Sequence, residues 1–208
     1  MLEFVYSRLY KAFGRQYWWP AETPLEVAVG AILTQNTSWW NVEKAIQRLK
    51  KHSLLSARAL QAVDVESLAR LIRPVGHFNI KARRLKNFIG FLIKEYRGSM
   101  KVMGREPLAI IRGKLLSVNG IGQETADAIM LYALQKPVFV IDAYTKRIFS
   151  RHDLLNHDLP YETCQRLFHG SISNNVQLFN EYHALLVRLA KEFCRTTPCC
   201  SGCPLEGL

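Results

Sequence analysis

Apolar positions along this chain recur at helical spacing, and strand-like alternation is almost absent. Nearly every residue from Pro24 to Leu33 is apolar, which predicts a helix buried on all sides. Val42, Ala45, Ile46 and Leu49 then fall on one face, with Lys44, Arg48 and Lys50 around them. Shorter helical patterns cover residues 56–63 and 65–72 and stop at Pro74 and Gly76. Residues 79–96 are amphipathic: Ile80, Leu85, Phe88, Ile89, Leu92 and Ile93 form the inner face, and Lys81, Arg83, Arg84 and Lys86 make the helix basic. Residues 107–116 and 123–134 are two helices joined by the turn Val118-Asn119-Gly120-Ile121-Gly122. Pro137 breaks the pattern, residues 138–141 read as a short buried connection, and a further helix starts at Asp142. Residues 161–169 and 176–193 complete an all-α prediction with short connections. Residues 1–14 mix Glu3, Arg8 and Lys11 into an apolar stretch and read as an N-terminal arm without a signal-peptide core.

Composition narrows the function. The 208 residues carry 28 Lys and Arg against 17 Asp and Glu, a formal charge of +11, which points to a polyanion and to nucleic acid before a membrane surface. With 49% hydrophobic residues a sizeable core is available. The longest apolar run falls far short of the roughly 20 residues a membrane span needs, so a cytoplasmic, nucleoid-associated protein is expected. Four of five cysteines crowd into the last fifteen residues, a distribution that suits a metal site better than a disulfide framework. Cys164 stands apart as a buried structural thiol.

The turn at residues 118–122 has glycines where the backbone must bend sharply and approach another molecule. The helix after it aims unpaired N–H groups back at the turn, an arrangement that receives phosphate. Twenty positions beyond Gly122 stands Asp142, a lone carboxylate in an apolar setting, whose simplest reading is a helix N-cap.

Asn119-Gly120-Ile121-Gly122, then Thr125-Ala126, then Val140-Ile141-Asp142-Ala143-Tyr144-Thr145 resemble the helix-hairpin-helix and catalytic-aspartate signature of the endonuclease III superfamily of DNA glycosylases. Leu33-Thr34-Gln35-Asn36-Thr37 and Gly76-His77-Phe78-Asn79-Ile80-Lys81-Ala82 resemble two further segments in the right order, and the C-terminal cysteines resemble the family's iron–sulfur loop. The resemblance implies a two-lobed helical fold: a six-helix barrel over residues 24–135 that includes the hairpin, and a second lobe from residues 1–23 and 136–208. It places Asp142 in a DNA-binding cleft as the catalytic carboxylate. The implied partner is double-stranded DNA with a damaged base, bound by a monomer.

The chemistry fits that implication. Cleaving an N-glycosidic bond builds oxocarbenium-like charge on the sugar, which a fixed carboxylate stabilises while orienting water. The base must first leave the stack, so anchors for the DNA backbone are needed; Gly120 and Gly122 supply backbone N–H groups for this. In the family the hairpin carbonyls also hold a monovalent cation.

One departure decides the subtype. Bifunctional members place a Schiff-base lysine two residues after the last hairpin glycine, and here that position is Glu124. A carboxylate cannot act as an amine nucleophile, so a monofunctional glycosylase is expected. The alternative reading of Glu124 is a first-turn helix acid. Gly120-x-Gly122-x-Glu124-x-Ala126-Asp127-Ala128-Ile129 resembles the endonuclease III-type 3-methyladenine DNA glycosylases more than other branches. Trp18, Trp19, Pro20 and Trp39 are then candidates for a base pocket with Glu124, because aromatic faces attract a cationic alkylated purine; Trp18 and Trp19 read equally as aromatics that pin the arm. Trp40 is expected to be structural. Gln35 and His77 match the positions that fill the gap left by a flipped base. Lys81, with the basic helix around it, and Lys146 are expected on backbone phosphates.

The family's cysteine loop runs Cys-x6-Cys-x2-Cys-x5-Cys and binds a [4Fe–4S] cluster. Here five residues separate Cys194 from Cys200 and two separate Cys200 from Cys203, with Cys199 as a substitute ligand. A cluster on Cys194, Cys199, Cys200 and Cys203 is the expectation; a missing last ligand, a metal-free loop and zinc remain as alternatives. Two other functions stay open: an endonuclease III-type glycosylase with lyase activity on oxidised pyrimidines, and a non-catalytic DNA-binding module.

Overall fold

The computed structural model describes residues 1–19 and 21–208 and is helical throughout, with no strand among the described residues. The helices are α1 (Leu2–Phe13), α2 (Pro24–Leu33), α3 (Trp39–Lys51), α4 (Ala57–Ala62), α5 (Val65–Leu71), α6 (Phe78–Tyr96), α7 (Met100–Met103), α8 (Leu108–Leu116), α9 (Gln123–Ala128), α10 (Ala143–Arg151), α11 (Tyr161–Ser171) and α12 (Val176–Glu192). None of the described helices is long and apolar enough to cross a membrane. The chain divides into two compact units: a central unit, Ala21–Lys136, and a terminal unit, Met1–Pro20 with Pro137–Leu208.

The central unit is built around α2, whose residues from Glu26 to Leu33 are all buried, as its unbroken apolar run requires. Thr23 caps the helix by accepting from the Glu26 N–H, and Pro24 follows, where a missing N–H costs nothing. The one acid inside, Glu26, is 6% exposed and meets Lys50 of α3 at 3.0 Å, so its charge is neutralised where it is buried. The apolar face of α3 is Val42, Ala45, Ile46 and Leu49. Around α2 pack α3, α6, α9 and the turn that follows α9.

Two findings differ from the sequence pattern. The helical stretch after the hairpin is not uniform: α9 ends at Ala128 and gives way to a widened π turn, Ile129–Ala133, in which every residue is buried. The N-terminal arm is a helix, α1, burying Val5 and Leu9. It is fastened to α12, where the Tyr182 hydroxyl donates to the Leu2 carbonyl at 2.8 Å and the Tyr6 and Tyr182 rings meet edge to face.

In the terminal unit, residues 138–141 run extended and buried with no strand beside them. Three of their polar backbone groups are met by one stripe of α11. The Phe139 N–H donates to His169 Nε2, the Gln165 amide donates to the Phe139 carbonyl at 2.7 Å, and the Ile141 N–H donates to the Tyr161 hydroxyl. Positions 161, 165 and 169 are four apart, which puts all three side chains on one helix face. The Phe139 ring stacks on Phe168 at 4.0 Å, so the connection is packed as well as bonded.

The hairpin's flanking helices are tied across their length. Asp127, fully buried on α9, accepts two hydrogen bonds from Arg112 of α8, at 2.8 and 3.1 Å. Removing one partner of such a pair leaves a buried charge exposed to an apolar setting. Arg112→Ala is therefore expected to lower stability by about 3 kcal/mol in chemical denaturation, and a loss within the ordinary surface range of about 0.5 kcal/mol would contradict the assignment.

Candidate active site and nucleic-acid interface

In the terminal unit, the buried connection delivers the chain to Asp142, the N-cap of α10. Its Oδ1 accepts from the Thr145 N–H at 2.7 Å and from the Thr145 hydroxyl at 2.8 Å. Its Oδ2 stands 3.4 Å from Nε2 of His183 on α12, and the two side chains are 12% and 8% exposed. Burial works to keep the carboxyl protonated, but the His183 imidazole and the Thr145 donors outweigh it and hold the carboxyl below its usual range. A carboxylate so depressed contributes stability above the ordinary carboxylate range, and the contribution is lost as pH falls through the folded value. Asp142 is thus both helix cap and fixed anion. The sequence pattern carried no sign of His183, which sits between two core positions, Tyr182 and Ala184.

The same unit holds Trp18 and Trp19, half-buried, with rings 6.0 Å apart and edge to face. The Lys191 ammonium lies 5.9 Å above the Trp18 ring. Pro20 lies outside the described residues. Lys146 does not point outward as a phosphate contact should: its Nζ donates to the Leu159 carbonyl at 2.6 Å and reaches the His157 carbonyl, fastening the loop before α11.

In the central unit, the hairpin joins α8 to α9. Gly120 has φ +94°, and a Cβ there would lie 2.2 Å from Arg84 Cγ, so both the turn and the packing require glycine. Gly122 is extended and exposed, with open space where a Cβ would be, which leaves its backbone approachable. Gln35 does not project into a gap. Its amide donates to the Gly120 carbonyl at 3.1 Å and to the Thr125 hydroxyl at 2.9 Å, and Arg84 donates to its oxygen. His77 is exposed and left-handed, at φ 44°, just before α6. Trp39 is half-buried at the start of α3, and Glu124 is exposed in the first turn of α9. Trp40 is 63% exposed, with the Lys44 ammonium 3.1 Å over its ring, and is therefore a surface aromatic rather than a packed one.

The basic helix needs the largest correction. Lys81 is 2% exposed, and its ammonium donates to the Val75 carbonyl at 2.8 Å, so it cannot meet phosphate on the surface. Burial, with Arg84 nearby, pushes it down to about 8. Lys86 donates to the carbonyls of Leu60, Gln61 and Val63 at the end of α4, and Arg84 holds Gln35. Periodicity had put these charges on the outside; their long stems let them reach carbonyls instead.

Two groups implied by the resemblance can be tested against these residues. Three successive turn carbonyls already accept hydrogen bonds, Val118 from Ile121 N–H, Asn119 from the Asn87 amide and Gly120 from Gln35, so the turn needs no cation to satisfy them. For a cluster, Cys194 is buried with its Sγ 3.3 Å from an Arg151 nitrogen, whereas Cys199 and Cys200 are exposed. Burial raises the Cys203 thiol, and the neighbouring Cys200 and Cys194 add to the effect. Among the described residues no group of three His, Cys, Asp or Glu side chains is placed to hold a metal ion. Arg147 and Arg151 fasten the loop, donating to the carbonyls of Cys194, Arg195 and Thr196.

Residues 29–172 match the profile of the HhH-GPD superfamily base excision DNA repair protein. The chain belongs to this superfamily. A relative from Methanocaldococcus jannaschii, provisionally named a DNA repair glycosylase, is 46% identical over 208 residues, covering 99% of this chain and 94% of the relative. The crystal structure of H. pylori 3-methyladenine DNA glycosylase bound to 1,N6-ethenoadenine is 28% identical with a TM-score of 0.77, covering 92% of this chain and 97% of that one. A non-covalent endonuclease III–DNA complex, at 21% identity and a TM-score of 0.84 over 98% of this chain and 91% of that one, shows the shared fold.

In this chain the hairpin leaves no room for a side chain at Gly120. Gly120→Ala is expected to cost about 1–2 kcal/mol from the left-handed backbone alone, before the clash with Arg84 is counted. Duplex-DNA affinity should fall by roughly tenfold or more while Asp142 is untouched. Fluorescence-anisotropy titration checks this, and unchanged affinity would remove the hairpin from the interface.

Proposed function

We propose that this superfamily member is a monofunctional DNA N-glycosylase that binds double-stranded DNA with a damaged base, flips the base out, and hydrolyses the N-glycosidic bond of alkylated purines such as 3-methyladenine, leaving an abasic site. The observation that carries the reading is the pairing of a fixed anion at Asp142 with a carboxylate, Glu124, where lyase chemistry needs an amine.

Asp142 enters with Oδ1 held by Thr145, so its direction is set before substrate arrives. As the base departs, positive charge grows on the deoxyribose, and the carboxylate stabilises it and orients the attacking water. A purine alkylated at N3 or N7 is already cationic and leaves as a neutral base, so no general acid is required. Trp18 and Trp19 offer aromatic faces to that cation, worth about 0.5–2 kcal/mol depending on desolvation. Trp39 and Glu124, in the central unit, are the remaining candidates for base recognition. Gly120 and Gly122 anchor a DNA phosphate through backbone N–H groups, and exposed His77 is the candidate to fill the space the base vacates. Likeness to a 3-methyladenine DNA glycosylase supports the substrate class.

The second reading, an endonuclease III-type glycosylase and lyase, is supported by the fold likeness and by a Thermotoga maritima relative named endonuclease III, 26% identical over 208 residues. Borohydride separates the two: the proposal expects no covalent capture on abasic-site DNA, and efficient capture would contradict the role of Glu124. Asp142→Asn tests the reaction itself. Base release should fall by about 10²-fold or more with DNA binding retained, and undiminished release would remove Asp142 from the chemistry.

A further inference from the structure

The N-cap accounts for only half of Asp142. Thr145 occupies Oδ1 with both of its donors, which is all that capping α10 requires. Oδ2 faces α12, where Nε2 of His183 stands 3.4 Å away. His183 lies on the inner face of that helix, flanked by Tyr182 and Ala184 at 0% and 1% exposure. An imidazole in such a setting, like a carboxylate, is costly to bury without a partner of opposite character.

We propose that His183 is a positioning residue for the reacting carboxylate, its Nε2 facing Oδ2 at 3.4 Å while Thr145 holds Oδ1, so that each oxygen of a nearly buried anion meets a polar partner. The inference rests on the reading of Asp142 as that carboxylate. With both oxygens directed, the carboxylate has one orientation before DNA binds. The contact crosses from α10 to α12, so the anion's position is tied to the helix that anchors α1.

The charged and titratable groups on these elements whose contacts the structure shows are turned elsewhere. Lys146 bonds the Leu159 carbonyl and Arg147 the Cys194 carbonyl on α10. On α12, Glu181 accepts from the Gln16 N–H and Arg188 pairs with Glu192. On α1, Arg8 donates to the Glu206 carbonyl, and on α11 the Tyr161 phenol takes the Ile141 N–H. Each of these contacts turns its group toward a partner other than the carboxylate.

The test compares the full-length protein with His183→Gln, which keeps an amide donor but no charge, and His183→Leu, which keeps neither. Carbon NMR of carboxyl-labelled aspartate, with the Asp142 signal assigned by Asp142→Asn, reads the titration midpoint directly. Single-turnover base release from methylated duplex DNA is followed against pH, and DNA affinity is measured alongside. The midpoint should rise from wild type to His183→Gln to His183→Leu. The acid limb of the rate should move with it, by about tenfold in rate per unit, while affinity holds. Equal midpoints in the folded proteins would overturn the proposal. Should His183→Leu fail to fold, a midpoint in His183→Gln at or below wild type overturns it equally. Failure of the underlying reading looks different: the midpoints shift in order, but Asp142→Asn still releases base.

Discussion

A stretch of buried backbone without a sheet partner constrains the terminal unit. Residues 138–141 run extended through the interior, and each buried N–H and C=O there must find a bond or cost stability. Tyr161, Gln165 and His169 provide three of those bonds, at Phe139 and Ile141, from one face of α11. The next residue is Asp142, so the stripe that satisfies the connection also fixes where α10 begins and where the carboxylate stands. A fixed anion needs a rigid carrier, and here the carrier is a helix terminus fed by a buried strap bonded to α11 at Phe139 and Ile141.

The chain's excess of positive charge is used in two ways. Much of it is internal fastening: Lys81 on the Val75 carbonyl, Lys86 on the end of α4, Lys146 on the loop before α11, Arg147 and Arg151 on the cysteine loop. Arg84 reaches Gln35, which in turn holds the Gly120 carbonyl, so a charge on α6 sets the shape of the hairpin. These residues direct their charge to backbone and side-chain partners within the protein, whereas the net charge of +11 still favours encounter with a polyanion.

Much of the fold was legible because burial follows period. The mostly apolar α2 and the face of α3 match their sequence patterns. On α6, Leu85, Phe88, Ile89 and Leu92 are buried as expected, while Ile80 is exposed and Ile93 only half-buried. Asp142 was legible twice over, as an N-cap and as part of a motif. What escaped notice has physical causes. In α1 only Val5 and Leu9 are buried, too short a pattern to stand out beside exposed Phe4 and Tyr10. Lys81 looks like surface because a sequence shows its charge and not the carbonyl its stem can reach. His183 is a partner across two helices, and no spacing along the chain connects it to Asp142.

The central claim is that this carboxylate releases cationic, alkylated purines, and the most direct measurement is chromatography of the bases freed from methylated duplex DNA by the purified protein. The account predicts free 3-methyladenine, with the DNA strand left uncut at the abasic site. Release of oxidised pyrimidines from damaged DNA with none from methylated DNA, accompanied by strand cleavage, would contradict it.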